Sequence, residues 1–194
     1  FISNIMTAIS GFMSRKDEVG AGKFLTTARD LIRKFLNNTE YDYILLRDEL
    51  VILELFVELE NQCREQKVEF NLSIDETIDP DVVKVVPSLI QPLLENSIIH
   101  GFKSCKGKKP ILTIRFKYEN EYMVTCYVED NGDGRFPTGS IIESKTYEHK
   151  SVAIENIRTR LHIHSFLRKK MYDLNYLPGE TGGTIAVIRI PALF

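Results

Sequence analysis

Ser88-Leu89-Ile90-Gln91-Pro92-Leu93-Leu94-Glu95-Asn96-Ser97-Ile98-Ile99-His100-Gly101-Phe102 reads as a core helix set among strands, and this reading decides the fold class. Leu89, Ile90, Leu93, Leu94, Ile98 and Ile99 recur at helical spacing, and Pro87 suits a first helical turn, so the helix is predicted over 87–102. On both sides the period is two. Val68, Phe70, Leu72 and Ile74 alternate with polar residues before it. After it, Ile111 to Tyr118 and Tyr122 to Val128 alternate as strands joined in a hairpin at Glu119-Asn120-Glu121. Further on, Ala153 to Leu167 reads as helix, and Met171 to Leu177 and Thr184 to Ile190 as strands.

Upstream of Val68 the signal is helical throughout. Ile2, Ile5, Met6, Ile9, Phe12 and Met13 form a narrow stripe suited to packing helix on helix. Ser14-Arg15-Lys16-Asp17-Glu18 with Gly20 and Gly22 are expected to break the pattern before a second stripe from Phe24 to Leu36, which Asn37-Asn38-Thr39 stops. A third helix, from about Leu46 to Glu65, is apolar around most of its circumference and should be buried from more than one side. The expected fold class is α+β, an antiparallel sheet with helices on one face behind a helical hairpin. Two regions are expected: 1–66, helical, and 67–194, the sheet domain.

Composition narrows the function classes. The 194 residues are 43% hydrophobic and 27% charged, which excludes a wholly disordered chain. A net charge of −2 gives no basic field for nucleic acid. The most apolar stretch, VILELFVELE, is interrupted by glutamates, so no membrane span is expected. Cys63, Cys105 and Cys126 are widely spaced and odd in number, as in a reduced, cytosolic domain. The chain opens on Phe1 inside a helical pattern, which reads as a fragment of something longer.

Three groups of residues carry chemistry. Glu95, Asn96 and His100 interrupt the apolar helix, with Asn96 and His100 four residues apart on one face. Buried polar groups cost about 1–3 kcal/mol each unless partnered. An Asn amide oxygen is a suitable hard ligand for Mg²⁺. Glu129-Asp130-Asn131-Gly132-Asp133-Gly134 follows at the end of a strand, where Asp130 can be held in a pocket and Gly132 and Gly134 let backbone approach a flat ligand. A calcium loop is excluded, because Ile141 stands where the twelfth-position glutamate belongs. Gly182-Gly183-Thr184 opens the last strand. Residues 130–150 read as a mobile loop able to close over a ligand. Elsewhere, His162 and His164 read as surface histidines, Lys103, Lys106, Lys108 and Lys109 as a solvated basic run or an attractor of phosphates, and Arg158 and Arg160 as caps or cross-braces of their helix, one of which could reach a phosphate.

Leu94 to Gly101, Asp130 to Gly134, Asn156-Ile157-Arg158-Thr159-Arg160-Leu161 and Gly182-Gly183-Thr184 come in the order and spacing of a LytS-type sensor histidine kinase. Phe1-Ile2-Ser3-Asn4 resembles the segment just after that family's phosphoacceptor histidine, and Asp48-Glu49-Leu50 with Glu58-Leu59-Glu60 and Arg64 resembles its next helix. The resemblance implies a Bergerat-type ATP-binding domain at 67–194, with a mixed, mostly antiparallel sheet, and a dimerisation region at 1–66. Its implied cofactors are ATP and Mg²⁺, and its implied partners are a second copy of the chain and the receiver domain of a response regulator. It also implies a cytoplasmic placement within a membrane protein. The nucleotide would be bound by Asn96, Asp130, Gly132, Gly134, Asn156, Gly183 and Thr184. Asn96 would hold Mg²⁺, and Glu95 and His100 would stand near the phosphates as the catalytic group with Asn96.

Two departures shape the expectation. The phosphoacceptor would precede Phe1, and none of His100, His149, His162 and His164 lies in its motif, so this chain alone should not phosphorylate itself. Ser151 and Ala153 replace the glycines of the usual Gly-x-Gly lid hinge and stiffen it. The rival readings are a degenerate signalling module that scaffolds without catalysis, and another Bergerat-type ATPase or serine kinase.

Overall fold

The computed structural model describes residues 2–38, 40–102, 108–120, 122–132, 152–179 and 182–193; for 2–4, His100, Val152 and Ala153 it describes the backbone alone. Two helices lead, α1 (Ile2–Ser14) and α2 (Glu18–Asn38). Lys16 takes a left-handed backbone (φ +54°) in the turn between them, and the Asp17 carboxylate accepts the Gly20 N–H at 2.8 Å. That cap offsets the roughly 1 kcal/mol a helical glycine costs. The expected break thus falls at 15–17, between α1 and α2, and is shorter than expected, because Gly20 and Gly22 lie inside α2.

A short strand, β1 (Ile44–Leu45), leads into α3 (Leu46–Gln62), which is buried along Leu46, Leu50, Leu53, Phe56, Val57 and Leu59, as its wide apolar surface requires. Then come β2 (Glu69–Ile74), β3 (Lys84–Val85), α4 (Gln91–Asn96), a single π turn (Ser97–Gly101), β4 (Ile111–Asn120), β5 (Met123–Asp130), α5 (Val152–Arg168), β6 (Leu174–Pro178) and β7 (Thr184–Leu193). The expected helix 87–102 thus begins four residues late, with Pro92 rather than Pro87 in its first turn. Ser88 adopts φ +57°, which no helix accommodates. The strand expected at 171–177 starts at Leu174, and the last strand runs on through Pro191 to Leu193.

The strands form one mixed sheet in the order β1-β3-β7-β5-β4-β2, with β6 also pairing β7. Only β2 and β4 run parallel among the described pairs. β7 is central: β5 lies along one edge, and β6 and β3 share the other end to end. Period-two alternation sorts the faces. Leu112, Ile114, Phe116, Val124, Cys126, Val128, Ala186, Ile188 and Ile190 enter one core with Leu53, Leu93, Leu94, Ile157 and Leu161 from the helices. The opposite face is polar. Arg115 pairs with Glu129 at 2.8 Å, Arg189 with Asp173 at 3.0 Å and Glu119 at 3.4 Å, and the Thr125 hydroxyl donates to Glu119. Helices on one face of a mostly antiparallel sheet is the expected α+β arrangement.

Candidate nucleotide site

The sheet places Asp130 at the last rung of β5, opposite Leu112 of β4 and Thr184 of β7. Three strands thus meet where its carboxyl emerges, and Asp130 is only 4% exposed. A buried carboxylate needs donors. The Ser97 hydroxyl donates to Oδ2 and the Gly132 N–H to Oδ1, each at 3.0 Å. Asn131 pins the neighbouring strand: its Oδ1 accepts the Ile111 N–H at 2.8 Å and its Nδ2 donates to the Lys109 carbonyl at 2.9 Å.

Glycine is required around this carboxyl for steric reasons. A Cβ at Gly132 would fall 2.1 Å from the Gly101 carbonyl oxygen, and one at Gly183 would fall 1.9 Å from the Asp130 carbonyl oxygen. Gly183 also holds φ +83°, the left-handed region. The turn before β7, the loop after β5 and the π turn therefore close on Asp130 from three directions.

The π turn aims Ser97 at Asp130. Its one extra residue per turn is seen in the Phe102 N–H donating to the Ser97 carbonyl at 3.0 Å, and such turns recur at functional sites. Arg64, just past α3, donates to the Ile98 carbonyl at 2.6 Å. One turn earlier, the Asn96 Nδ2 donates to the Pro92 carbonyl at 2.7 Å, which leaves its amide oxygen as the atom with acceptor capacity. Glu95 is half-buried beside Asn96, and burial, with Glu95 as a further cause, lifts the Glu60 carboxyl of α3 above its ordinary value. Asn156 is exposed on α5. Gly134, Ser151 and most of the loop at 130–150 lie outside the described residues, as does the His100 side chain.

Over 141 residues the chain is 32% identical to the sensor histidine kinase YpdA of Escherichia coli (strain K12), covering 71% of this chain and 23% of that protein. Over 195 residues it is 26% identical to the sensor protein LytS of Enterococcus faecalis (strain ATCC 700802 / V583), covering 98% and 32%. The chain is a relative of the LytS-type sensor histidine kinases. A third relative, YwpD of Bacillus subtilis (strain 168), is 36% identical over 116 residues, or 59% of this chain and 40% of that protein. The chain thus spans less than half the length of these curated relatives. The histidine kinase domain of the Erythrobacter litoralis EL346 blue-light activated histidine kinase shares the fold, with a TM-score of 0.52 at 18% identity over 98% of this chain and 87% of that one. No family model matches.

Of the LytS-type motif residues, the structure brings Asp130, Gly132, Gly183 and Thr184 together with the π turn that follows Asn96. Three further residues shape this region without standing out in the sequence: Ser97, Arg64 and Glu49. Ser97 and Glu49 are polar side chains on otherwise apolar helical faces, which is the signal that could have found them, whereas Arg64 lies just past the end of α3. Arg160 of α5 braces the turn before α4 rather than its own helix, donating to the Pro87 carbonyl at 2.8 Å. His164 packs edge-on against Tyr43. Among the described residues no group of three or more His, Cys, Asp or Glu is placed to hold a metal. No helix among them is long and apolar enough to cross a membrane.

Proposed function

We propose that residues 67–194 bind Mg·ATP and present its γ-phosphate to a histidine upstream of Phe1, from which it passes to an aspartate of a response-regulator receiver domain. The observation that carries this reading is the buried Asp130 carboxylate, walled by backbone at Gly101, Gly132 and Gly183. A carboxylate accepts up to four hydrogen bonds, so Asp130 can take the adenine amino group while keeping Ser97 and Gly132. Thr184, buried on the paired strand, supports the same pocket.

The residues present fit a magnesium ion that arrives with its phosphates. Asn96 offers one amide oxygen, and Mg²⁺ sites commonly combine one or two protein ligands with substrate phosphates and water. When bound, the ion neutralises charge on the phosphates. Phosphoryl transfer needs positioning and charge neutralisation more than covalent help, so Glu95, Asn96 and His100 act by placement beside the phosphates. Gly134 and Asn156 would extend the contact to the nucleotide.

Residues 1–66 supply the dimerisation region in this reading. Met6, Met13, Val19, Leu25 and Leu36 leave apolar surface exposed on α1 and α2, which a second copy would cover. The chain would be the cytoplasmic part of a membrane-anchored sensor. Calorimetric titration with ATP, with and without Mg²⁺, tests the reading. Binding that is lost in Asp130→Asn supports it, and absence of binding at millimolar nucleotide overturns it. Ser151 and Ala153 at the lid hinge favour a second reading, a non-catalytic signalling module. A longer chain carrying the upstream histidine that binds ATP but takes up no phosphate would favour it.

A further inference from the structure

α4 and its π turn are held from outside at both ends, by α3 and by Arg64 just past it. At the start, Ser88 has a left-handed backbone, φ +57°, a conformation that costs a non-glycine residue about 1 kcal/mol or more and persists only where its surroundings enforce it. The enforcing group is Glu49 of α3. Its fully buried carboxyl accepts the Ser88 N–H on both oxygens at 3.1 Å, also accepts the Ile90 N–H, and lies within electrostatic reach of Arg160. Arg160 in turn donates to the Pro87 and Ser88 carbonyls, at 2.8 and 3.4 Å. At the other end Arg64 holds the Ile98 carbonyl inside the π turn, one residue from the Ser97 that bonds Asp130.

α3, which carries Glu49 and leads directly into Arg64, is itself fixed. Asn61 bonds both the N–H and the carbonyl of Val68, at 2.7 and 3.0 Å, and Gln62 donates to the buried Thr27 hydroxyl of α2 at 3.0 Å. Glu49 and Arg64 both bond the backbone of the segment 88–102, and through that segment they act on the pocket.

We propose that Glu49 and Arg64 are positioning residues for the nucleotide site, clamping the segment 88–102 to α3 so that Asn96 and Ser97 stand correctly beside Asp130. This rests on the nucleotide-site reading above. The clamp makes α3, and through it α2, a frame on which ATP affinity depends.

The test measures ATP affinity of the whole chain by calorimetry in Glu49→Gln, Arg64→Met, Arg64→Lys and the pair Glu49→Gln with Ser88→Gly. Gln keeps the shape of Glu49 but turns an N–H₂ toward backbone N–H donors, so ATP should bind about tenfold more weakly. Ser88→Gly accommodates the left-handed turn by itself and should restore most of that loss. Arg64→Met should weaken binding by a similar factor and speed amide exchange at Phe102, whose N–H closes the π turn. Arg64→Lys keeps a donor and should recover part of the affinity.

Wild-type affinity in both Glu49→Gln and Arg64→Met, with binding lost in Asp130→Asn, overturns the clamp and leaves the site standing. Failure of Ser88→Gly to rescue a folded Glu49→Gln overturns the role of Glu49. Unchanged binding in Asp130→Asn overturns the site itself, and the clamp with it. Should Glu49→Gln not fold, Arg64 decides, since its side chain is 26% exposed and its replacement leaves the core intact.

Discussion

The Ser97 hydroxyl donates to the Asp130 carboxylate at 3.0 Å, and that bond joins two segments 33 residues apart that the sequence presents as separate motifs. Removing it with Ser97→Ala leaves a buried carboxylate oxygen short of a donor. The expected cost is about 1–2 kcal/mol of stability together with a several-fold loss of ATP affinity. Denaturant titration and calorimetry read the two effects separately.

Asp130→Asn should uncouple binding from folding. The Asn oxygen can still accept the Gly132 N–H, and the Ser97 hydroxyl can rotate to accept from the new amide. The fold survives, and ATP affinity falls at least about tenfold because the charged acceptor for an adenine amino group is gone. A melting midpoint near wild type with lost binding is the expected pair of results.

Asn96→Ala removes the one amide oxygen suited to magnesium. ATP binding measured with Mg²⁺ should weaken toward the value measured in EDTA, while the EDTA value itself stays nearly constant. Equal losses under both conditions would assign Asn96 to the nucleotide rather than to the cation.

Gly183→Ala is expected to be costly. The added methyl would lie 1.9 Å from the Asp130 carbonyl oxygen, on a residue with φ +83°. Backbone strain and forced separation of β5 from β7 should together cost about 2–4 kcal/mol, seen as a lower denaturant midpoint. Gly22, inside α2 with open space where its methyl would go, provides the contrast: Gly22→Ala should stabilise slightly.

Glu49 predicts a pH dependence. Burial, the largest cause, lifts its carboxyl from 4.5 to about 7, against the lowering effects of the Ser88 N–H and of Arg160. The folded chain therefore holds this proton more tightly than the unfolded chain does. Its contribution to stability is full below pH 4.5 and is lost as pH rises to about 7, a fall on the order of 3 kcal/mol. Glu49→Gln should flatten that part of the stability profile. A slope unchanged by the substitution would assign the titration elsewhere.

Most of the sheet was legible because a two-residue period is unambiguous where one face is apolar and the other is not. Leu112, Ile114 and Phe116 against Arg115 and Lys117 leave little choice, and the hairpin at 119–121 follows from where the alternation stops. The two-residue strands β1 and β3 carry no period at all, and only tertiary pairing defines them. The start of α4 was misplaced because Pro87 is a good first-turn residue locally, whereas Glu49 and Arg160 force a left-handed turn at Ser88 from 39 and 72 residues away. Gly20 and Gly22 misled for the opposite reason, since a nearby cap at Asp17 outweighed their propensity.

In the site, Asp130 and the paired glycines were readable as strand-end and turn chemistry. Ser97 was not, because a serine on a buried helix is small enough to pass as neutral. Its hydroxyl needed an acceptor, and the π turn supplying the geometry has no signature in a single sequence. Glu49 sits four and seven residues before Leu53 and Phe56, on the same buried stripe. A carboxylate there implies a partner as surely as Asp130 does.

The central place of β7 dictates an order of assembly. During synthesis β1, β3, β4, β5 and β6 all leave the ribosome before residues 184–193, yet β3 and β6 reach β5 only through that strand. Until it arrives, β5 keeps an open edge and β3 has only the two-residue β1 beside it. The sheet therefore cannot close until residues 184–193 have emerged, and a nascent chain stalled before residue 184 exposes an apolar strand edge to any neighbour. Chaperone demand should thus concentrate in the interval before β7 emerges, while the α1–α2 hairpin, built from local contacts, can form early.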